Sequence, residues 1–205
     1  MNQHPHRPYS RRRSASRAAI PAVALALCVG LALTACAVDE GVVPALAGSS
    51  TELGVAGDPR TPENGYLEFG ETLSPFDEHL PAISRLDPDL LAAVQAATTA
   101  ATADGFVMVI TSGWRSAELQ QALLDAAVTK YGSLDEARKW VNTPERSTHV
   151  TGNAVDIGYT DANSWLSQHG ARYGLCQTYA NEMWHFELAT EPGGVCPPQL
   201  PDAVG

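Results

Sequence analysis

Ser147-Thr148-His149-Val150-Thr151-Gly152-Asn153-Ala154-Val155-Asp156-Ile157 is the stretch on which the fold turns. From Asn153 to Ile157 it alternates as a strand, and side chains two apart share a face. Ala154 and Asp156 therefore point one way, and Asn153, Val155 and Ile157 the other. The apolar side can enter a core while Asp156 faces a cleft, with the small Ala154 leaving room beside it. Gly152 lets the backbone turn out of the loop that carries His149. A second segment repeats the pattern from Trp184 to Leu188: Trp184, Phe186 and Leu188 are expected in the core, and His185 and Glu187 on the polar face.

Working outward, Asp87 is an N-cap with Pro88 at the first helical position, and Leu90, Leu91, Val94 and Ala97 form an apolar stripe ended by Gly105. Phe106 to Thr111 is a β-rich apolar run, expected as a buried strand. Ser116 caps a second helix with Leu119, Ala122, Leu123, Ala126 and Ala127 at helical spacing. Ser133 caps a short third helix through Trp140. Asn142 to Val150 is loop, and Asp161 to Gln168 is helix. Helices between short strands, with connections too brief for regular crossovers, predict an α+β fold with a small, mainly antiparallel sheet packed with helices. No GxGxxG or P-loop signature supports a nucleotide-binding fold.

The polar faces carry the chemistry. His149, Asp156 and His185 make a set of two imidazoles and one carboxylate, which leaves a coordination position open, as at catalytic zinc sites. One zinc ion per chain is expected. Glu182, three residues before His185, can take a proton from water there. Taken singly, each of these residues has a plain structural explanation; it is their joint pattern that favours a site. His79 and His169 show no such pattern and are expected to be structural.

The first 35 residues form a leader. Arg7, Arg11, Arg12, Arg13 and Arg17 precede an apolar run from Ala18 to Leu33, closed by Leu33-Thr34-Ala35-Cys36. This is a secretory signal whose last four residues resemble a bacterial lipobox, implying cleavage before Cys36 and lipidation of its thiol. Residues 36–62 are a Gly-, Ala-, Ser- and Pro-rich tether, and residues 63–205 a single catalytic domain, expected as a monomer. The predicted location is the extracytoplasmic face of a bacterial membrane. All 23 acidic residues follow Cys36 whereas five of the 13 basic ones precede it, so the remainder carries eight bases against 23 acids, a net charge of −15. That excludes nucleic acid as a partner. Outside the cytoplasm the remaining pair, Cys176 and Cys196, is most simply a disulfide, with Cys176 as a catalytic thiol the alternative.

Ser147-x-His149-x-x-Gly152-x-Ala154-x-Asp156, followed by Glu182-x-Trp184-His185, resembles the motif pair of the VanY/VanX-type zinc D-alanyl-D-alanine carboxypeptidases and dipeptidases. Ser112-Gly113-Trp114-Arg115-Ser116, with Gln120 beyond it, is similar to a third segment of that family. The resemblance implies the small D,D-peptidase fold shared with the Hedgehog signalling domain. It assigns zinc to His149, Asp156 and His185, the general base to Glu182, and stabilisation of the scissile carbonyl to Arg115. It puts Ser147, Gln120 and Trp114 on the substrate side. Met183 and Glu187 depart from the commoner pattern, which has Pro and a basic residue there. The expected partner is the peptidoglycan stem peptide, and the expected reaction removal of its terminal D-Ala. A peptidoglycan endopeptidase, a non-catalytic zinc or cell-wall binding module and a metal-free scaffold are the alternatives. The serine route is excluded, because the sequence after Cys36 has no Ser-x-x-Lys or Lys-Thr-Gly.

Overall fold

The computed structural model describes residues 57–205; the leader, Cys36 and most of the tether lie outside the described residues. The elements run α1 (Pro81–Ser84), α2 (Pro88–Ala103), β1 (Val109–Ser112), α3 (Ala117–Tyr131), α4 (Leu134–Arg138), β2 (Ala154–Gly158), α5 (Thr160–His169), β3 (Leu175–Gln177) and β4 (His185–Leu188). The four strands form one antiparallel sheet in the order β1-β2-β4-β3.

Local chemistry starts the helices where the sequence predicts. The Asp87 carboxylate accepts from the Asp89 and Leu90 amides, the Ser116 hydroxyl from Leu119, and the Ser133 hydroxyl from Glu136, each satisfying amides that lack an intrahelical partner. Helix α2 buries Leu90, Val94, Ala97 and Ala101 on one stripe. With Trp165 and Leu166 of α5, this stripe packs against Val155, Ile157 and Phe186 of the sheet. Full burial of such side chains stabilises by about 1.5–3 kcal/mol each. The apolar residues of β2 thus sit where the alternation places them, and the opposite face of β2 and β4 is free to carry Asp156 and His185.

Several expectations shift. Strand β1 starts three residues later than predicted and is an edge strand: Val107 is exposed, while Met108 and Ile110 are buried. Its outer side is bridged by Leu73 opposite Ile110. A register irregularity between Ile110 and Ser112 sets Ser112 opposite Asp156. Helix α3 buries Leu119, Gln120, Leu124 and Ala127, so its inner face is rotated from the predicted stripe and Ala126 is exposed. The polar Gln120 occupies an inward position there and disguises the period. Helix α4 ends at Arg138, two residues before Trp140. Strand β4 is only four residues long, so of the three residues expected in the core Phe186 alone is buried; Trp184 and Leu188 are 37% and 38% exposed.

Two glycines are fixed by close approach. A Cβ on Gly113 would collide with the Ala82 carbonyl oxygen of α1, whose acceptor role is taken by the Trp114 amide at 2.9 Å. Gly152 has φ +77°, and its carbonyl accepts from the Asp87 amide at the head of α2. The backbone turn predicted between His149 and β2 is therefore made in the left-handed region that favours glycine. A disulfide joins Cys176 of β3 to Cys196, as the cysteine count predicts, closing a loop of 20 residues and stabilising by about 3 kcal/mol in a chain-entropy account. Beyond it the Leu200 amide donates to Thr178 and the Ala180 amide to Leu200.

Candidate active site

Asp156 lies in the middle of β2, paired with Ser112 of β1 on one side and with His185 of β4 on the other. His149 sits on the preceding loop. Its Nδ1 is 2.8 Å from the Gly113 carbonyl oxygen, so Nδ1–H donates there and Nε2 is left with its lone pair, 3.4 Å from Asp156 Oδ1. His185 Nδ1 lies 3.3 Å from the same oxygen. All three side chains are buried, and their ligand atoms lie within 4.8 Å of one another. The sequence-predicted set thus converges, and its donors are those that zinc takes at open sites.

The side chains around the triad hold it in place. Glu187 Oε1 is 2.8 Å from His185 Nε2 and also accepts from Thr148 Oγ1 at 3.0 Å. The Nε2–H of His185 therefore points at a carboxylate and Nδ1 at the shared oxygen. The sequence places Glu187 on the polar face without naming a partner for it; its i+2 spacing from His185 on one strand is the signal for this contact. Asp156 Oδ2 accepts from Arg115 Nη2 at 3.1 Å. Arg115 also donates from Nε to Ser112 Oγ at 2.7 Å and from Nη1 to Gln120 Oε1 at 3.1 Å. Gln120 in turn donates to the Asn142 carbonyl at 2.8 Å. Each end of the Gln120 amide thus makes one hydrogen bond, which positions Arg115, and Gln120 also lines the cleft.

Glu182 is 5% exposed, with Oε2 3.8 Å from His185 Nδ1 and Oε1 buried without a hydrogen-bond partner. Burial, partly offset by the neighbouring His185 charge, pushes its carboxyl up to about 7. Burial also opposes charge on Asp156, yet His149, His185 and Arg115 hold that carboxyl well below the usual range. For His149, burial and the Arg115 cation lower the imidazole, against the pull of Asp156. Burial works against the His185 cation as well, but the hydrogen bonds to Asp156 and Glu187 carry it up to about 9.

These groups form the floor of a cleft of about 290 Å³, walled by Trp140, Arg146, Ser147, Tyr179, Trp184 and Ala203. Ser147 is where the sequence places it. Trp114 is not: its indole donates to the Val150 carbonyl at 3.1 Å, and the Arg85 guanidinium stacks over its ring at 4.3 Å. The tight passage of Gly113 past α1 turns Trp114 away from the cleft and against the core. Tyr179, Trp184 and Ala203 were not singled out as site residues, and the position of Ala203 has no local sequence signal. His169 stays structural, its Nδ1–H donating to the Trp165 carbonyl.

The VanY family profile, described as D-alanyl-D-alanine carboxypeptidase, matches residues 83–192. A D-alanyl-D-alanine carboxypeptidase of Enterococcus faecalis (strain ATCC 700802 / V583) is 31% identical over 139 residues, 54% of this chain and 52% of that protein. The chain thus spans about half the length of this curated relative. Among solved structures, VanYB in complex with D-alanine-D-alanine superposes with a TM-score of 0.48 at 28% identity, covering 50% of this chain and 70% of that one. A variant of the VanY D,D-pentapeptidase from a VanB-type vancomycin-resistance cassette, in complex with Zn(II), gives 0.47 at 28% identity, covering 50% and 71%.

Proposed function

Because the chain belongs to the VanY family of D-alanyl-D-alanine carboxypeptidases, we propose that it is a zinc-dependent hydrolase that removes the terminal D-alanine of peptidoglycan stem peptides. The observation that carries this is the convergence of His149, Asp156 and His185 around one point, with the unpartnered Oε1 of Glu182 beside them. His149 Nε2, Asp156 Oδ1 and His185 Nδ1 would hold the ion. When bound, zinc supplies Lewis acidity and draws the pKa of a water towards about 7.

The chain's own residues do the rest. Glu182, once ionised, accepts a proton from the water that adds to the scissile carbonyl carbon, and returns it to the amine as the C–N bond breaks. A carboxyl poised near 7 suits both halves of that task. Arg115, fixed by Ser112, Gln120 and Asp156, faces the negative charge that develops on the carbonyl oxygen. One such donor is often worth about 3 kcal/mol. The Ser147 hydroxyl on the cleft wall is suited to the carboxylate of the departing residue. Glu187 and Gln120 act through His185 and Arg115.

The leader, with Leu33-Thr34-Ala35-Cys36, supports a lipid-anchored enzyme on the extracytoplasmic face of a bacterial membrane, where stem peptides lie. Cys36→Ser should then move the protein from the membrane to the soluble fraction. The reaction is tested by mass spectrometry of pentapeptide-containing muropeptides incubated with and without a zinc chelator. Loss of one D-Ala that the chelator abolishes is expected, and cleavage of dimers into monomers instead would identify an endopeptidase. Glu182→Gln should keep stoichiometric zinc and lose turnover; surviving turnover would remove Glu182 as the base.

A further inference from the structure

The last stretch of the described residues ties the two walls of the cleft together and lines it at Ala203. Cys196 fastens it to β3. Leu200 then pairs with the Thr178–Ala180 backbone, on the connection that leads to Glu182, through hydrogen bonds of 2.9 and 2.8 Å. Three residues later the segment reaches the opposite wall: the Ala203 carbonyl accepts from Asn142 Nδ2 at 2.6 Å and the Val204 carbonyl from Arg146 Nη2 at 3.2 Å. Ala203 itself lines the cleft. A second tie, from Asn181 Nδ2 to the Lys139 carbonyl at 2.9 Å, runs beside it.

The strap is fastened to a particular part of the wall. Asn142, which holds Ala203, is the residue whose carbonyl accepts from Gln120, and Gln120 fixes Arg115. Arg146, which holds Val204, precedes Ser147 in the wall. A cation and a hydroxyl beside the strap suit a ligand that ends there with a negative charge. The cleft volume, about 290 Å³, lies at the small end of the range of roughly 300–1,000 Å³ for small-molecule pockets. A chain that continued past the scissile residue would have to displace the strap.

We propose that the segment Leu200–Val204 is a specificity-determining strap: it closes the Arg146 end of the cleft, so that the site takes peptides ending there in a small residue with a free carboxylate and rejects peptides that run on. This rests on the hydrolase reading above and sets its preference for chain ends over cross-links.

Binding separates the two ideas. Zinc-loaded Glu182→Gln protein is titrated calorimetrically with an N-acylated peptide ending in D-Ala-D-Ala, and with the same peptide extended by glycinamide. The intact strap should favour the free-ended probe by at least about tenfold, the ratio expected where a clash excludes the competitor. Deletion of residues 200–205 should bring the two affinities to within about threefold, chiefly by improving the extended probe. If the deletion does not fold, Asn142→Ala, which releases Ala203 while leaving the backbone carbonyl for Gln120, should move the ratio in the same direction. Equal binding of both probes by the strapped protein, or an unchanged ratio in a folded variant without the tie, overturns the proposal. Discrimination between the probes without any D-Ala release by the wild-type enzyme overturns the proposed reaction and leaves the strap standing.

Discussion

Removing the Glu187 carboxylate should weaken zinc binding without touching a ligand. The His185 ring is 3% exposed and has two neighbours that fix its orientation: Asp156 at Nδ1 and Glu187 at Nε2, the latter at 2.8 Å. In Glu187→Ala the Nε2–H loses a charged acceptor, the ring loses its orienting partner, and Nδ1 becomes a weaker donor to the metal. Loss of such an outer carboxylate typically costs about 10–100-fold in metal affinity, or roughly 1.4–2.7 kcal/mol. Glu187→Gln keeps an oxygen that can accept from both His185 and Thr148 but loses the charge, so its effect should fall near the tenfold end. Thr148→Ala removes only the 3.0 Å hydrogen bond that a hydroxyl donates to the same carboxylate oxygen, a contact of the kind worth about 1.5–3 kcal/mol. The assay is competition between metal-free protein and a chromophoric chelator of known zinc affinity. Wild-type affinity in Glu187→Ala, or a larger loss in Gln than in Ala, would refute this account of how His185 is held.

Arg115→Ala should lower turnover by about 10²–10³-fold while zinc remains stoichiometric, read by steady-state kinetics alongside metal analysis; Arg115→Lys should not rescue it, because one ammonium cannot meet three acceptors in a plane. Zinc binding should also release a proton. His185 in the metal-free protein titrates near 9 rather than at the usual 6.5, so between those values the folded protein holds a proton that an unfolded chain has lost. Its contribution to stability is full below 6.5 and disappears as pH rises through 9. Zinc must displace that proton, so affinity should rise about tenfold per pH unit from neutrality towards 9. Calorimetry at pH 7.5 in buffers of different ionisation enthalpy, on a Glu182→Gln background, should count about one proton released; a count near zero would contradict the raised His185.

What could be read from the sequence was whatever local chemistry or a short period determines. Asp87, Ser116 and Ser133 cap helices because each side chain satisfies amides two or three residues away. Asp156 and His185 meet because both lie on the polar parity of strands that pair in register. What depended on distant backbone was not legible. Strand β3, three residues long, exists through its pairing with β4 and has no periodicity of its own. Trp114 is turned by the contact between Gly113 and Ala82, a close approach that no spacing in the sequence records. Gln120 is placed on the substrate side by resemblance alone, and only the fold brings Asn142 and Arg115 to it. Trp184 and Leu188 fit an alternation that a four-residue strand is too short to bury.

The irregularity between Ile110 and Ser112 makes this edge of the sheet intolerant of changes in length. The extra residue in the bulged strand is what brings the Ser112 hydroxyl round to the side where Arg115 Nε can reach it. Excising Thr111 would straighten the ladder and leave Ser112 opposite Asp156, but it would remove the bend and added twist that the bulge gives this edge and so shift the Gly113 carbonyl that holds His149. Substitutions at Val109 or Thr111 can drift within the limits of packing, but a one-codon insertion between them and Gly113 would turn the Ser112 hydroxyl to the other face and unhook a guanidinium and an imidazole together.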